Sequence, residues 1–231
     1  MEALKGSRAV NKVWLLRGLG DQAIVSRIRH LAREKGAVVQ EVERGKLNDL
    51  APASHQGMVA SLAPVPYADF DEMVAAARAA AHPLILVLDG IEDPHNLGAL
   101  IRTAGAAGAQ GVVIPRRRAV GLTGTVAKAA AGALEHVPVA RVNNLGQALE
   151  ALKEAGFWIV CADQGASQTA YAADLKGPVA AVVGAEGAGL SRLTAERCDL
   201  LVSFPMTGAV PSLNASVAGG LLLFEVVRQR L

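Results

Sequence analysis

"PLILVLDGIEDPHNLGALIRTAGAAG", residues 83–108, opens on an unbroken apolar run and then places Asp89, Glu92, Asp93, His95, Asn96 and Arg102 within fourteen positions. An apolar run without alternation reads as a strand buried on both faces, and "NLGALIRTAGAAG" (96–108) reads as the helix that follows it. The same unit recurs along the chain. "GVVIP" (111–115), "VPVARV" (137–142), "FWIVCAD" (157–163), "PVAAVVG" (178–184) and "LLVSFP" (200–205) are short apolar strands. "DEMVAAARAAA" (71–81), residues 124–133, "LGQALEALKEAG" (145–156) and an amphipathic segment at 214–230 are the helices between and after them. Strands that alternate with helices predict an α/β fold, a parallel sheet covered on both faces. Ligands of such sheets gather at the carboxyl ends of the strands. The polar loops after Leu88, Val183 and Phe204 are therefore expected in one neighbourhood if their strands are adjacent.

The preceding residues form a separate pattern. "KVWLLRG" (12–18) is a strand, and Asp21 is placed to cap a helix over 22–35 that carries Ile24, Ile28, Leu31 and Ala32 on one face and stops at Gly36. "AVVQEV" (37–42), a short helix in "LNDLA" (47–51) and the strand "HQGMVASLA" (55–63) complete a small α/β unit. "PVPYADF" (64–70), with two prolines, reads as a linker. The expected division is a small domain at 1–64, a linker and leading helix at 65–82, and the main domain at 83–231. Residues 1–64 hold ten Lys/Arg against six Asp/Glu, hence +4, and the remaining thirteen against fifteen give −2. The small unit is thus the basic one, as a polyanion partner would require, although a solvated helix face explains the same residues.

Composition narrows the function. Apolar residues make up 52% of the 231 and aromatics only 3%, which suits close helix-on-sheet packing. Eighteen consecutive apolar residues occur nowhere without a charge or break, so no membrane span is expected, and "MEALKGSRAVNKVWLL" lacks a secretory layout. Cytoplasmic localisation is expected, with Cys161 and Cys198 as buried free thiols. The dinucleotide fingerprint G-x-G-x-x-G and the phosphate loop G-x-x-x-x-G-K-[ST] are absent; "GAAGAQG" (105–111) has the wrong spacing and closes a helix. G-x-S-x-G is also missing. The five histidines are scattered, and no metal site is expected. Two polar-rich segments remain beside the first: the Gly-rich loop "VVGAEGAGLS" (182–191), and "FPMTGAVPSLNASVAGGLLLFE" (204–225), with Ser-Leu-Asn-Ala-Ser at a helix start.

"DGIEDPHNLGALIRTA" (89–104), "VVGAEGAGL" (182–190) and "FPMTGAVPSLNASVA" (204–218) resemble, in order and spacing, the three motifs of the SpoU (TrmH-like) branch of the SPOUT methyltransferases. "AKAAAGALEHVPVARVNNL" (127–145) is similar to that family's connecting segment. The N-terminal unit with "HQGMVA" (55–60) resembles the RNA-binding domain of its 23S ribosomal-RNA guanosine 2′-O-methyltransferases. Such enzymes open on a short "G…V…EAL" lead-in, so an opening at "MEAL" reads as clipped. The resemblance implies S-adenosylmethionine as methyl donor, a ribose 2′-hydroxyl of ribosomal RNA as acceptor, a homodimer, and a deep C-terminal trefoil knot. Transfer RNA, an adenosine acceptor as in resistance enzymes, a non-catalytic RNA-binding factor and a small-molecule methyltransferase are the alternatives.

Carried onto matching positions, the resemblance implies a catalytic set of Arg102, Asn96, Glu186, Ser212 and Asn214. It implies cofactor contacts from Gly184, Glu186, Gly187, Phe204, Met206, Leu213 and Asn214. Arg102 is spoken of as a general base in the family, but a free guanidinium stays protonated; stabilisation of the developing alkoxide is the role its chemistry allows. Asn96, six residues earlier, is expected at the helix start, orienting Arg102 or the loop, and Glu186 is expected to orient the loop or substrate. With few aromatics to stack bases, RNA is expected to be held through its phosphates and shape. Lys5, Arg8, Lys12, Arg27, Arg29 and Arg33 are the candidates, joined by Arg116 and Arg117 of "RRR" (116–118), a run after a strand end that reads as a phosphate clamp or a solvated loop, and by Glu135 as a substrate-positioning residue. Trp14 and Trp158 are expected in the core. Phe204, Pro211 and Ala215 depart from the family's usual residues, and Pro211 bears on the substrate side of the pocket.

Overall fold

The structure, a computed structural model, describes residue 4 and residues 9–20, 22–51, 55–210 and 212–231. Asp21, Lys5, Arg8 and Pro211 lie outside the described residues. The chain forms two units: residues 1–66 together with Gly121–Gly124, and Tyr67–Val120 together with Thr125–Leu231.

In the first unit β1 (Val10–Leu16) is central, parallel to β2 (Val38–Val42) and antiparallel to β3 (Met58–Leu62). Helix α1 (Gln22–Glu34) covers the sheet, and α2 (Arg44–Leu50) follows β2. Val25, Ile28 and Ala32 of α1 pack with Val13 and Leu15. The buried stripe is therefore rotated by one residue from the expected face, and Ile24 is left 45% exposed. The expected strand at 55–63 shortens at its start, because "HQG" makes a turn. His55 Nδ1 accepts from the Gly57 amide at 3.1 Å, and Gly57 sits at φ 82°. The later segment 121–124 joins this unit: the Asn11 amide donates to Leu122 O at 2.6 Å.

The second unit is a six-stranded, wholly parallel sheet in the order β6-β5-β4-β8-β7-β9. Its strands are β4 (Leu84–Asp89), β5 (Gly111–Pro115), β6 (Val139–Val142), β7 (Trp158–Ala162), β8 (Val179–Gly184) and β9 (Leu200–Val202). The central pair, β4 and β8, is buried almost throughout, which is why both read as continuous apolar runs. Helices α3 (Phe70–Arg78) and α6 (Leu145–Glu154) pack on one face, where Met73, Val74, Ala77, Ala148 and Leu152 meet Ile85, Val87, Ile159 and Val182. On the other face lie α4 (Pro94–Ala106) and α8 (Ala215–Arg230). They approach so closely that a Cβ on Gly219 would stand 2.4 Å from Leu100 Cδ2. Helix α5 (Gly124–Ala130) lies between β5 and β6 in sequence, and α7 (Arg192–Ala195), capped by Ser191, is a turn of helix that the sequence pattern had not indicated.

The last helix is anchored at its far end. Arg230 donates to Pro83 O at 3.1 Å and Gly177 O at 2.5 Å, and burial lowers its pKa. Glu225 is 5% exposed and accepts twice from Arg228, both at 2.8 Å. Those bonds pull its carboxyl below the usual glutamate range.

Two expectations are corrected. Cys161 and Cys198 are joined in a disulfide across 37 residues, not free; β7 and the segment after α7 bring their Cα atoms to 6.0 Å, within bonding reach. Trp158 is 59% exposed at the start of β7, because the next strand outward, β9, pairs only from Val160 onward, and Trp14 is half-buried. Among the described residues no helix is long and apolar enough to cross a membrane.

Candidate functional site

β4 and β8 pair in register as far as Asp89 and Gly184, so their loops begin side by side. After β4, Asp93 Oδ1 accepts from the His95 amide at 3.0 Å and Pro94 begins α4, which sets Asn96 in the first turn. After β8 the chain folds tightly on itself: the Ala185 amide bonds Gly189 O at 2.9 Å and the Gly189 amide bonds Ala185 O at 2.8 Å. Glu186 stands at the tip. Only glycine serves at 184, where a Cβ would lie 2.3 Å from the Gly189 carbonyl carbon. Asp89 Oδ2 pins the loop's exit by accepting from the Ser191 amide at 2.8 Å.

The third loop leads into α8, and Asn214 caps that helix: its Oδ1 accepts from the Ser216 amide at 2.9 Å and Ser216 Oγ at 2.6 Å. Its Nδ2 donates to Glu186 Oε2 at 2.9 Å and to Asn96 Oδ1 at 3.1 Å, and Asn96 Nδ2 lies 3.4 Å from the same Glu186 oxygen. Three loops thus close into one triangle, Asn96–Glu186–Asn214. The adjacency condition is met only in part, since β7 lies between β8 and β9. The gap is bridged by Gln164, after β7, whose amide donates to Phe204 O at 3.2 Å.

Two clefts flank the triangle and share Ala185, Glu186 and Gly189. The narrower has apolar walls from Val183, Val202, Phe204, Leu213 and Ala218, with Asp163, Gln164 and Ser212 at its polar positions and Gly184 and Gly187 at its edge. An apolar slot bounded by glycine backbone and carboxylates fits a flat, positively charged nucleoside. The wider cleft, about 520 Å³, runs from Asp89 through Glu92, Asp93 and Asn96 to Arg118, with Glu186 between the two. Arg118 sits in a loop ordered from below: Arg141, its pKa lowered by burial, lies over the Tyr67 ring at 5.3 Å and donates to Arg116 O at 3.3 Å.

Of the expected residues, Asn96, Glu186, Gly184, Gly187, Phe204, Ser212 and Leu213 line one or both clefts, and Asn214 braces the carboxylate between them. Met206 is half-buried outside both linings. Arg102 is exposed on α4 and lines neither cleft, and Asn96 bonds Glu186 and Asn214 of the other two loops. Glu135 is exposed in a one-turn 3-10 helix, Ala133–Glu135. Arg116 is half-buried and Arg117 exposed. On the first unit, Arg27 and Arg33 are exposed along α1, Arg29 pairs with Glu41, and Lys12 Nζ stands 5.3 Å over Trp14. Asp163 and Gln164 were missed, and Arg118 is the member of the run 116–118 that lines the wider cleft. Asp163 and Gln164 had a readable signal, polar residues where an apolar strand ends. No group of three or more His, Cys, Asp or Glu among the described residues could hold a metal.

Comparison with known proteins identifies the family. Residues 83–224 match the SpoU rRNA methylase family, and residues 1–68 match an RNA 2′-O ribose methyltransferase substrate-binding domain. The Bacillus subtilis protein YacO, named for the TrmH family of tRNA/rRNA methyltransferases, is 48% identical over 100% of this chain and 92% of its own. Among solved structures, the SpoU methyltransferase AviRb of Streptomyces viridochromogenes in complex with AdoMet has a TM-score of 0.64 at 28% identity, covering 99% of this chain and 86% of that one. An AdoMet-bound rRNA methyltransferase of Sinorhizobium meliloti has a TM-score of 0.63 at 25% identity, covering 100% and 84%.

Proposed function

This chain belongs to the SpoU rRNA methylase family, and on that footing we propose that it transfers a methyl group from S-adenosylmethionine to a ribose 2′-hydroxyl of RNA, a guanosine of 23S ribosomal RNA. The observation that carries this reading is the triangle of Asn96, Glu186 and Asn214 at the boundary of two clefts, one shaped for a nucleoside cation and one open to a larger ligand. When bound, S-adenosylmethionine supplies an electrophilic methyl on a sulfonium. The chain's own residues position the partners. Backbone around Gly184, Phe204 and Leu213 would hold the flat ring, and Ser212 and Asp163 would offer it polar contacts. Glu186, held by two amide side chains, would face the acceptor hydroxyl and hold its proton away from the line of attack; as the oxygen–methyl bond forms and the methyl–sulfur bond breaks, the neutral thioether would leave and the proton would pass to water in the open cleft.

Arg102 is exposed and outside both clefts of its own chain. We place it at the interface of a homodimer, where its guanidinium stabilises the developing alkoxide in the partner's site. Helix α8 supports that association: it lies against α4 and presents Val217, Leu221 and Phe224 at 49%, 40% and 48% exposure, a stripe at helical spacing with no cover in the single chain.

The test is incubation with methyl-labelled S-adenosylmethionine and unmodified ribosomal or transfer RNA, followed by mapping of nucleotides that resist alkaline cleavage. Label at a guanosine ribose of 23S RNA is expected. Label on a base, or on neither RNA, refutes the reading, and label on transfer RNA moves the substrate while keeping the chemistry.

A further inference from the structure

The wider cleft has a charge pattern that the methyl-transfer reading does not use. Its lining includes four carboxylates, Asp89, Glu92, Asp93 and Glu186, and one cation, Arg118. Three of the carboxylates are engaged within the chain: Asp89 holds the Ser191 amide, Asp93 caps α4, and Glu186 accepts from Asn214 and Asn96. Glu92 and Arg118 are both exposed, and each is without a hydrogen bond or ion pair among the described residues.

Their backbones are nonetheless fixed. The Val120 amide donates to Ile91 O at 3.0 Å, which ties the loop of Arg118 to the loop of Glu92. The Arg116 amide donates to Val142 O at 2.9 Å on the other side. Between these anchors Arg118 adopts φ 54°, a left-handed conformation that a long side chain rarely takes and that recurs at ligand sites.

Resting on the RNA methylation reading, we propose that Arg118 grips a phosphate of the target nucleotide and that Glu92 reads the donor edge of its base, so that the cleft selects guanine. The sign of the cleft forces the division. Of the groups this chain gives the cleft, four carboxylates repel the polyanionic backbone and one guanidinium, Arg118, attracts it, its fork matching two phosphate oxygens. A carboxylate only accepts hydrogen bonds. Guanine offers N1–H and the N2 amino group side by side, a pair that two carboxylate oxygens accept together. Adenine presents an acceptor at N1, and each pyrimidine presents a single donor group on that edge. A volume of about 520 Å³ admits one splayed-out nucleotide.

The probes are 5′-GMP, guanosine, 5′-IMP and 5′-AMP, titrated by ligand-observed NMR against the full chain saturated with S-adenosylhomocysteine. GMP is expected to bind about tenfold more tightly than guanosine and about tenfold more tightly than AMP, with IMP between, each tenfold corresponding to about 1.4 kcal/mol. Arg118→Ala should equalise GMP and guanosine, with Arg118→Lys restoring part of the difference. Glu92→Gln should equalise GMP and AMP while keeping the preference for phosphate. With ribosomal RNA as substrate, Arg118→Ala should raise KM more than it lowers kcat. Unchanged ratios in both variants, or no saturable GMP binding, overturn the assignment even if RNA is methylated. Ratios that behave as expected with no methylation of any RNA would instead refute the function and leave the cleft chemistry standing.

Discussion

Asn214 does two jobs with one side chain, and two substitutions separate them. Its oxygen caps α8, and its amide braces Glu186 and Asn96. Removing a helix cap costs about 1 kcal/mol. The two amide bonds, one of them to an exposed carboxylate and so partly screened, add about another 1 kcal/mol. Asn214→Ala should therefore lose about 2 kcal/mol, and at roughly 2–4 °C per kcal/mol for a chain of this size, Tm should fall by about 4–8 °C. Asn214→Ser keeps a hydroxyl able to cap but too short to reach Glu186, so it should recover about half of that loss. Methyl transfer should not follow stability. Both variants leave Glu186 with only the longer contact from Asn96, and both should lose about 10–100-fold in kcat, measured as labelled methyl incorporated into RNA under saturating cofactor. If Asn214→Ser transferred methyl at nearly the native rate, the brace would be structural ornament, and the placement of Glu186 at the junction of the clefts would lose its functional meaning.

Other perturbations reach different parts of the molecule. Gly184→Ala puts a Cβ 2.3 Å from backbone; the loop must move, and S-adenosylmethionine affinity by calorimetry should fall at least about tenfold, with about 1–3 kcal/mol of lost stability. The Glu225 carboxyl is held below its ordinary range by Arg228, so its stabilising effect is present above that range and lost as pH falls through the lowered value. Glu225→Gln should flatten the acid limb of a Tm-against-pH curve and leave neutral pH less affected. The Cys161–Cys198 link closes 37 residues, worth about 4 kcal/mol by chain entropy. Thiol titration of the unreduced, denatured protein should find neither cysteine free, and reductant should lower Tm. Arg102→Ala and Asn214→Ala chains should each keep at most about a tenth of native activity alone, yet recover about one quarter after subunit exchange if Arg102 serves the partner's site; no recovery would place it in its own.

The parallel sheet was legible because β4 and β8, buried on both faces, show no alternation, and the last helix because Asn214 stands at its start; α4 begins two residues before the expected Asn96, since Asp93 caps it and Pro94 opens it. The order of strands was not legible. Periodicity reports what each strand buries and says nothing of its neighbours, so the intervening position of β7, and with it Gln164 and Asp163, escaped notice. The turn at "HQG" was misread as strand because a left-handed glycine is silent in a hydrophobicity pattern until the chain around it is known. The face of α1 was misplaced by one residue for a related reason: with apolar residues at 24, 25, 28, 31 and 32, two overlapping stripes fit a period of 3.6, and only the sheet beneath chooses between them. The run 116–118 reads equally as a phosphate clamp or a solvated loop, because three arginines in a row do not show which of them the backbone turns toward a cleft.

Asn96 and Arg102 belong to one sequence motif and one helix, yet they address different surfaces. Six residues along an α-helix turn the side chain by about 240°. Asn96 is held inward by Glu186 and Asn214, so Arg102 must project from another side of α4, where the structure leaves it exposed. The same helix packs against α8, and α8 carries the uncovered stripe of Val217, Leu221 and Phe224. A motif that contributed only to its own cleft would gain nothing from a basic residue at that position. If association of two chains buries the stripe, it also brings the neighbouring guanidinium out of bulk water, where its effect on a developing negative charge is largest. Catalysis and dimerisation then become one requirement, and activity per chain should fall on dilution with the same midpoint as the dimer itself.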